Sequence, residues 1–296
     1  MTGAGGRVAL ATAGRLPNGM ADTPGLVAAL WAQGVDPEVV AWDDAGVDWS
    51  AFGAVITHCT WDYLQRRAEF LDWLRGRHGD RTLANPLPVL EACLDKAYLL
   101  RLSEQGIAVP ATVRLERGDG AAPDSLAERF GRVPLVVKPA IGGGGHQVWR
   151  CAGPREAAQT ARVELAAEAV VVQEFLPSVT AGEYSAVFVS GRLSHAVRKR
   201  PAAGDFRVHR RYGASRDTVR ATGWMADYGR RVFSALGTVP MYARVDFLLP
   251  APQTPVLMEV EMLEPDLYLR EHPGSAARLA TALAGHARLT AWCSAG

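Results

Sequence analysis

The chain has 296 residues, 48% of them hydrophobic and 21% charged, with a formal net charge of +1. That length supports two or three packed units, and the near-neutral charge gives no global reason to expect nucleic acid or an anionic membrane as partner. No apolar run approaches the ~18–20 residues that span a bilayer, and the stretch MTGAGGRVALATAGRLP is too weakly apolar for a signal segment, so a soluble cytoplasmic protein is expected.

Residues 7–13 read as a buried strand and 23–34 as a helix that Gly34 stops; 36–42 and 52–60 read as further strands and 66–79 as an amphipathic helix. Strand–helix–strand order of this kind favours a parallel α/β unit with ligand-facing loops at its carboxyl edge. Residues 84–93 read as a Pro-rich join, followed by a helix over 95–106 and strands over 108–115 and 133–140 separated by a polar segment with a short helix. A glycine loop then feeds a strand within 142–151, a helix covers 154–168 and a strand 169–176. Residues 182–200 form a hairpin turning at SGR, and 201–214 an irregular charged loop. A helix over 222–237, strands over 241–249 and 254–263, and a terminal helix from Pro273 to Thr290 complete the chain. Cys59, Cys93, Cys151 and Cys293 have neither CxxC nor zinc-like spacing and are read as reduced thiols.

Several of these segments can carry chemistry. In VLMEVEML, Val256, Met258, Val260 and Met262 alternate with Leu257, Glu259, Glu261 and Leu263. The preceding strand puts Tyr242, Arg244, Asp246 and Leu248 on one face by the same period of two. Antiparallel pairing would let Asp246, Glu259 and Glu261 converge beside Arg244, and such a cluster suits Mg²⁺ or Mn²⁺. Solvent-facing or arginine-paired glutamates remain the alternative at this point. Lys138 ends an apolar strand before Gly142, Gly143, Gly144 and Gly145, whose backbone N–H groups could cradle an anion. The loop fits neither GxxxxGK[ST] nor GxGxxG, and a mobile surface loop is an equally good reading. The strand exit Glu174-Phe175-Leu176 and the later Glu183 suit an adenine ring and ribose hydroxyls, though they are otherwise just a strand and a hairpin. The basic set Arg198, Lys199, Arg200, Arg207, His209, Arg210 and Arg211 lacks the interleaved aromatics of a nucleic-acid patch.

Taken in order, the "DK" at 95–96, VVKPAIGGGG, QEFL, GEYS, RKRPAAGDFRVH, ARVDF and MEVEMLEP resemble the ATP-grasp superfamily over residues 90–290. The resemblance implies an α/β and α+β protein, an ATP-grasp fold preceded by a Rossmann-like α/β domain. Its divisions would be 1–88 for the N-terminal substrate-side domain, 89–177 for the small subdomain with the glycine loop, and 178–296 for the large subdomain with the metal site. It further implies that Lys96, Lys138 and the 142–145 loop meet the ATP phosphates. Glu174 and the main chain of Phe175 and Leu176 would hold the adenine, and Glu183 the ribose. Asp246, Glu259 and Glu261 would hold two Mg²⁺ ions; Arg244 would stabilise charge at the reacting centre, and Lys199 or Arg207 would meet the γ-phosphate. Asparagine is common where this chain has Glu261.

Within the superfamily, VAWDDAGVDWSAF, HCTWDYLQRRAEFLDWL and EVEMLEPDLYL are most similar to the branch containing O-ureido-D-serine cyclo-ligase, an enzyme of D-cycloserine formation. The resemblance implies ATP-dependent activation of a small carboxylate as an acyl phosphate, then attack by an amine of the same molecule. Thr60, Trp61, Asp62, His209 and Asp266 are the expected substrate-side residues, with Asp266 suited to a cationic amine. The branch pattern has arginine and serine where this chain has His58 and Asp266. Ligation of two separate amino acids, and a nucleotide-binding regulatory protein without catalysis, stay open, as does a homodimer. The joint presence of Lys96, Lys138, Arg244, Asp246, Glu259 and Glu261 argues against the inactive reading.

Overall fold

A computed structural model describes residues 6–78, 82–119 and 121–294. Strands β1 (Arg7–Thr12), β2 (Asp36–Ala41) and β3 (Ala54–Cys59) form a parallel sheet in the order β2-β1-β3. β1 and β3 are near-continuous apolar runs because both faces of the sheet are covered. Val8, Leu10 and Ile56 pack on helix α1 (Thr23–Ala32) and the C-terminal helix, which runs over Ser275–Ser294. Ala9, Ala11 and Val55 face Trp42, Trp49, helix α2 (Arg67–His78) and helix α3 (Leu87–Leu94). The C-terminal helix approaches so closely that a Cβ on Gly53 would lie 2.5 Å from the Ala287 carbonyl oxygen.

Helix α4 (Tyr98–Glu104) leads into a four-stranded antiparallel sheet, β4 (Thr112–Leu115), β5 (Leu135–Pro139), β6 (Trp149–Cys151) and β7 (Val170–Glu174), in the order β4-β7-β5-β6. Leu135, Val137, Val170 and Val172 pack on helices α5 (Pro123–Phe130) and α6 (Pro154–Glu164). The period of two then turns Val136, Lys138 and Gln173 to the opposite face, toward a cleft.

The third sheet contains β8 (Glu183–Val189), β9 (Arg192–Arg200), β10 (Ser215–Val219), β11 (Tyr242–Ala251) and β12 (Thr254–Glu261), all antiparallel, in the order β10-β9-β8-β11-β12. Ala186, Phe188, Ala243, Val245 and Phe247 pack on α4 and on helix α7 (Gly223–Ala235). On the opposite face Val187, Val197 and Tyr242 join the core beneath the N-terminal sheet, while Leu248 joins a small cluster with Phe175 and Val179. Glu183, Ser185, Lys199, Arg244 and Asp246 form a polar band between these apolar patches. The last helix, α8, is the Ser275–Ser294 element already described. By apolar packing, α4 belongs with the five-stranded sheet and α8 covers the N-terminal sheet.

Three elements differ from the sequence reading. The Pro-rich join contains α3: a proline in the first helical turn loses no hydrogen bond, and Leu87, Leu90 and Leu94 share a buried face. The charged loop is followed by β10, an edge strand without apolar alternation that owes its conformation to backbone pairing with β9. The register of β11 on β12 slips, with Asp246 opposite Glu259 but Phe247 opposite Leu257, so Met258 is an inserted bulge residue. Leu257 therefore packs with Phe247 on the α-helical side, and Met258, not Leu257, joins Glu259 at the cleft. Cys59, Cys93 and Cys151 are free thiols; the side chain of Cys293 lies outside the described ones. No helix among the described residues is long and apolar enough to cross a membrane.

Candidate active site

The cleft between the four- and five-stranded sheets encloses about 940 Å³ including its open mouth. Its apolar wall is Val136, Phe175, Leu176, Val179, Phe206, Leu248 and Met258, and its polar wall contains Lys96, Lys138, Glu174, Glu183, Asp246 and Glu259. Gly142, Gly143, Gly144 and Gly145 close one side, and Arg207 and His209 come from the loop opposite. A flat apolar slot continuous with a charged end fits a nucleotide.

The acidic cluster forms because antiparallel pairing sets Arg244 opposite Glu261 and Asp246 opposite Glu259. One carboxylate oxygen from each of Asp246, Glu259 and Glu261 lies within 4.8 Å of the others. Cations interleave them. Arg244 donates to Asp246 from Nε (3.0 Å) and Nη2 (2.9 Å), to Glu261 from Nη2, and to the Asp266 carbonyl from Nη1 (3.2 Å). Lys199 Nζ sits 2.6 Å from Glu183 Oε1 and 3.2 Å from Asp246 Oδ2, and Ser185 Oγ donates to Asp246 Oδ1 at 2.5 Å. Burial alone would raise Asp246, but Arg244 and Lys199 hold it well below the usual carboxylate range. Burial likewise works against the charge on Glu259, and Lys96 and Lys138 overcome it, lowering its pKa. Glu261 goes the other way: burial pushes it up to about 7 against the pull of Arg244, with Glu259 and Asp246 adding to the rise. Burial also disfavours the charge on Lys199, yet Asp246 and Glu183 raise its pKa and keep it protonated.

Lys96 donates to the Gly142 carbonyl at 2.6 Å and lies 3.3 Å from Glu259 Oε1, so it connects the glycine loop to the acidic cluster. Lys138 has no ion pair among the described residues. Burial, helped by the charge on Lys96, lowers its pKa to about 8. From the other side, Tyr212 Oη donates to the Gly145 carbonyl at 2.9 Å. Gly145 has φ +69°, and a Cβ there would lie 2.7 Å from His209 Nδ1. His209 is driven down to about 4 by burial and by Lys199.

Some expected contributions are narrower than the residue types suggest. The Phe175 N–H already donates to the Pro134 carbonyl at 2.9 Å, so its main-chain donor is engaged and its side chain is what it offers the cleft; the Leu176 N–H has no backbone partner among the described residues. Glu183 is bound to Lys199. Arg207 is held by Asp205 through Nε (3.0 Å) and Nη2 (2.7 Å) and lies 3.6 Å from the Tyr212 ring centroid. Of the substrate-side residues, Thr60 is buried with an unpartnered Oγ1, and Trp61 is exposed. Asp62 turns away, accepting from Trp42 Nε1 at 2.9 Å. Asp266 does not present a free carboxylate: Arg216 Nη1 is 3.5 Å from its Oδ2, and its Oδ1 accepts the Tyr268 N–H at 3.1 Å. His58 is buried, with Nε2 2.8 Å from Thr23 Oγ1, and burial lowers its pKa to about 4.

Sequence reasoning missed Ser185, Arg216, Tyr268 and Glu264. Ser185 was within reach, since it shares the strand period with Glu183. Arg216 had no signal, because its partners Asp266 and Glu271 are distant in the chain. Tyr268 adopts a left-handed φ of 52° that its residue type does not announce, and lies under both Arg216 (4.3 Å) and Arg244 (5.5 Å).

Residues 8–85 match the family described as D-cycloserine synthetase DcsG, N-terminal domain, and residues 95–268 match the RimK-like ATP-grasp domain. The cycloserine biosynthesis protein DcsG of Streptomyces lavendulae is 32% identical over 281 residues, covering 89% of this chain and 93% of that protein. The crystal structure of D-cycloserine synthetase DcsG superposes with a TM-score of 0.84 at 30% identity, covering 95% of this chain and 100% of the other. The D-alanine–D-alanine ligase of Bacillus anthracis complexed with ATP shares the fold, with a TM-score of 0.71 at 17% identity over 98% of this chain and 99% of that one. The chain belongs to the RimK-like ATP-grasp ligases, in the branch represented by DcsG.

Proposed function

We propose that this ATP-dependent ligase phosphorylates the carboxylate of a small amino-acid-like substrate and closes a ring by attack of an amine in the same molecule, releasing ADP and phosphate. The observation that carries this reading is the Asp246–Glu259–Glu261 cluster with Arg244 among its carboxylates, of which Asp246 and Glu259 share one cleft with the glycine loop, Lys96 and Lys138. Ring closure is supported by the likeness over most of the chain to a cycloserine biosynthesis protein.

The donor set is three hard carboxylate oxygens, one carboxylate buried and the others half-buried, which fits Mg²⁺ with Mn²⁺ as substitute; Asp246, Glu259 and Glu261 would hold two ions. When bound, the metal neutralises phosphate charge and polarises the transferring phosphoryl group. Lys96 and Lys138 hold the phosphates, and the glycine loop covers them. The apolar slot takes the adenine, with the Leu176 N–H as a main-chain donor and Glu174 at its edge. Glu183 faces the ribose, and Arg207 lies on the phosphate side of the cleft.

Transfer of the γ-phosphoryl group to the substrate carboxylate breaks the terminal P–O bond of ATP and forms an acyl phosphate. The amine nitrogen then bonds to the acyl carbon, the acyl–oxygen bond to phosphate breaks, and the nitrogen loses a proton. Arg244 has five N–H donors; the bonds given above use four, which leaves one Nη1 hydrogen for the oxyanion that forms between the two events. The lid contacts at Gly142 and Gly145 exclude water from the acyl phosphate.

A panel of amino acids and their O-substituted derivatives, each supplied alone with ATP and Mg²⁺, tests the reading by ADP release and product mass. One substrate should suffice, and its product should be lighter than it by one water. ADP release that requires a second amine would replace ring closure with intermolecular ligation. Nucleotide binding without ADP from any carboxylate would overturn catalysis.

A further inference from the structure

Beyond the end of β12 the chain continues Met262-Leu263-Glu264-Pro265, and this turn is fastened to the N-terminal sheet. The Leu263 carbonyl accepts from Thr57 Oγ1 on β3 and from Tyr242 Oη at 3.1 Å. Glu264 comes next, and its Oε2 is buried without a hydrogen-bond partner. Leu263 bonds to Thr57 and shares a buried apolar cluster with Tyr63, which brings Glu264 to the loop that leaves β3; the Glu264 carboxylate accordingly adds to the burial-driven rises of the Cys59 thiol and the Tyr63 phenol. Between Cys59 and Tyr63 lies Thr60, fully buried, whose Oγ1 is likewise unpartnered. Two unpartnered polar oxygens, a carboxylate and a hydroxyl from two different units, thus both lie by the carboxyl edge of the parallel sheet, the edge at which open α/β sheets take ligands.

Native structures seldom leave buried polar atoms unmatched, and those that remain call for a ligand or a strain argument. A carboxylate oxygen accepts and a threonine hydroxyl can accept as well, so an ammonium group, which supplies three donors on a compact cation, can satisfy both. The seat adjoins the reacting centre, since two residues beyond Glu264 the Asp266 carbonyl accepts from Arg244 Nη1 at 3.2 Å; burial, with the charge of Glu261, raises the Glu264 pKa, so a cation in the seat is what would hold its carboxylate ionised. Asp266, two residues on, is not equivalent, since Arg216 already offsets its charge.

We propose that Glu264, with Thr60 beside it, seats the amino group of an amino-acid-like substrate next to the carboxylate-activating centre, which rests on the ligase reading above. The site selects amino acids over hydroxy acids of the same shape. The test compares ADP release, with hydroxylamine as the trapping nucleophile, on matched pairs: serine against glycerate and alanine against lactate, in both configurations. Wild-type protein should prefer the amino acid of its best pair by about 10- to 100-fold in kcat/KM, the effect of one charge-assisted hydrogen-bonded contact. Glu264→Gln should remove most of that preference by weakening the amino acid alone, with the hydroxy acid rate changed less than about 2-fold and Glu264→Asp restoring part of the preference. Thr60→Val should lower the same ratio by a smaller factor, and serves if Glu264→Gln does not fold. An unchanged ratio in either variant, or an equal loss on both members of the pair, overturns the proposal. No ADP from wild-type protein with any pair strikes the ligase reading itself, and the seat falls with it.

Discussion

Replacing Glu259 by glutamine tests the acidic cluster at the residue where its contacts are best defined. In the absence of nucleotide the substitution has two opposed effects. It removes the ion pair with Lys96 at 3.3 Å, about 5 kcal/mol by Coulomb's law at an effective dielectric constant of ~20 and before any desolvation. It also removes the repulsion from Asp246 and Glu261, whose oxygens lie within 4.8 Å, and the cost of keeping a half-buried carboxylate charged. At the same dielectric constant the two repulsions come to about 7 kcal/mol, so the opposed effects differ by only about 2 kcal/mol and the melting temperature of the protein alone should move by no more than ~4–8 °C.

The loaded protein should behave differently. Mg²⁺ and ATP at a hundred times their dissociation constant stabilise a folded protein by about 2.7 kcal/mol, or ~5–10 °C at this chain length. In Glu259→Gln most of that increment should vanish, because a carboxylate common to the metal site has become a neutral amide. Turnover should fall by at least ~100-fold, beyond the ~10–100-fold that loss of an outer-shell partner costs a metal centre. Scanning calorimetry with and without Mg²⁺ and ATP, alongside a coupled ADP assay, measures both. A wild-type rate at saturating Mg²⁺, or an undiminished thermal increment, would refute the assignment of the cluster as a metal site.

Lys138→Met should weaken ATP binding by ~10–100-fold, the worth of one charge-assisted contact to phosphate. Because Lys138 titrates near pH 8 in the free protein, nucleotide binding should take up a proton at pH 8–9, and calorimetry in buffers of different ionisation enthalpy should show that uptake lost in the variant. Gly145→Ala places a Cβ 2.7 Å from His209 Nδ1 at φ +69°; the left-handed penalty of about 1–2 kcal/mol should raise KM for ATP several-fold and lower the melting temperature by ~2–8 °C. His58, lowered from 6.5 to about 4 by burial, binds its proton more readily in the unfolded chain. Its contribution, roughly 3 kcal/mol at most, is complete above pH 6.5 and lost as pH falls toward 4. His58→Asn should flatten the pH dependence of denaturant midpoints in that window, and an identical slope in both proteins would dismiss His58 as a source of acid sensitivity.

The central hairpin was legible because a strand face repeats every two residues, so Arg244, Asp246, Glu259 and Glu261 fall together once β11 and β12 pair. The same rule failed one residue away. The bulge at Met258 reverses the faces of Leu257 and Met258, and a bulge is a property of pairing that no local pattern encodes. β10 was invisible for a related reason: SRDTV has no apolar face, and it is a strand only because β9 offers it an edge. α3 was hidden by its prolines, which punctuate loops and first helical turns alike. Glu264 stood in a quoted motif, but its lack of a partner is a three-dimensional fact, and the pairing of Asp266 with Arg216 spans 50 residues.

Charge balance across the cleft accounts for this set of residues better than any single contact does. Around the acidic cluster, Asp246, Glu259, Glu261 and Glu183 are set among Arg244, Lys199, Lys96 and Lys138, four of each, with Glu174 of the same cleft outside this group. If two divalent ions bind with a fully ionised ATP, as proposed above, their charges also sum to zero, and loading them together would leave the site as neutral as before. Neutrality matters because an unmatched charge in a half-buried cleft costs far more than one at the surface. Glu261 is the exception that asparagine, the residue the resemblance leads one to expect there, would avoid. With its pKa near 7, Glu261 carries its full charge only above neutral pH, unless a cation other than Arg244 draws the proton off. Metal binding and proton release at Glu261 are then one equilibrium, so Mg²⁺ affinity in this chain should rise with pH through 7, a dependence that Glu261→Asn removes.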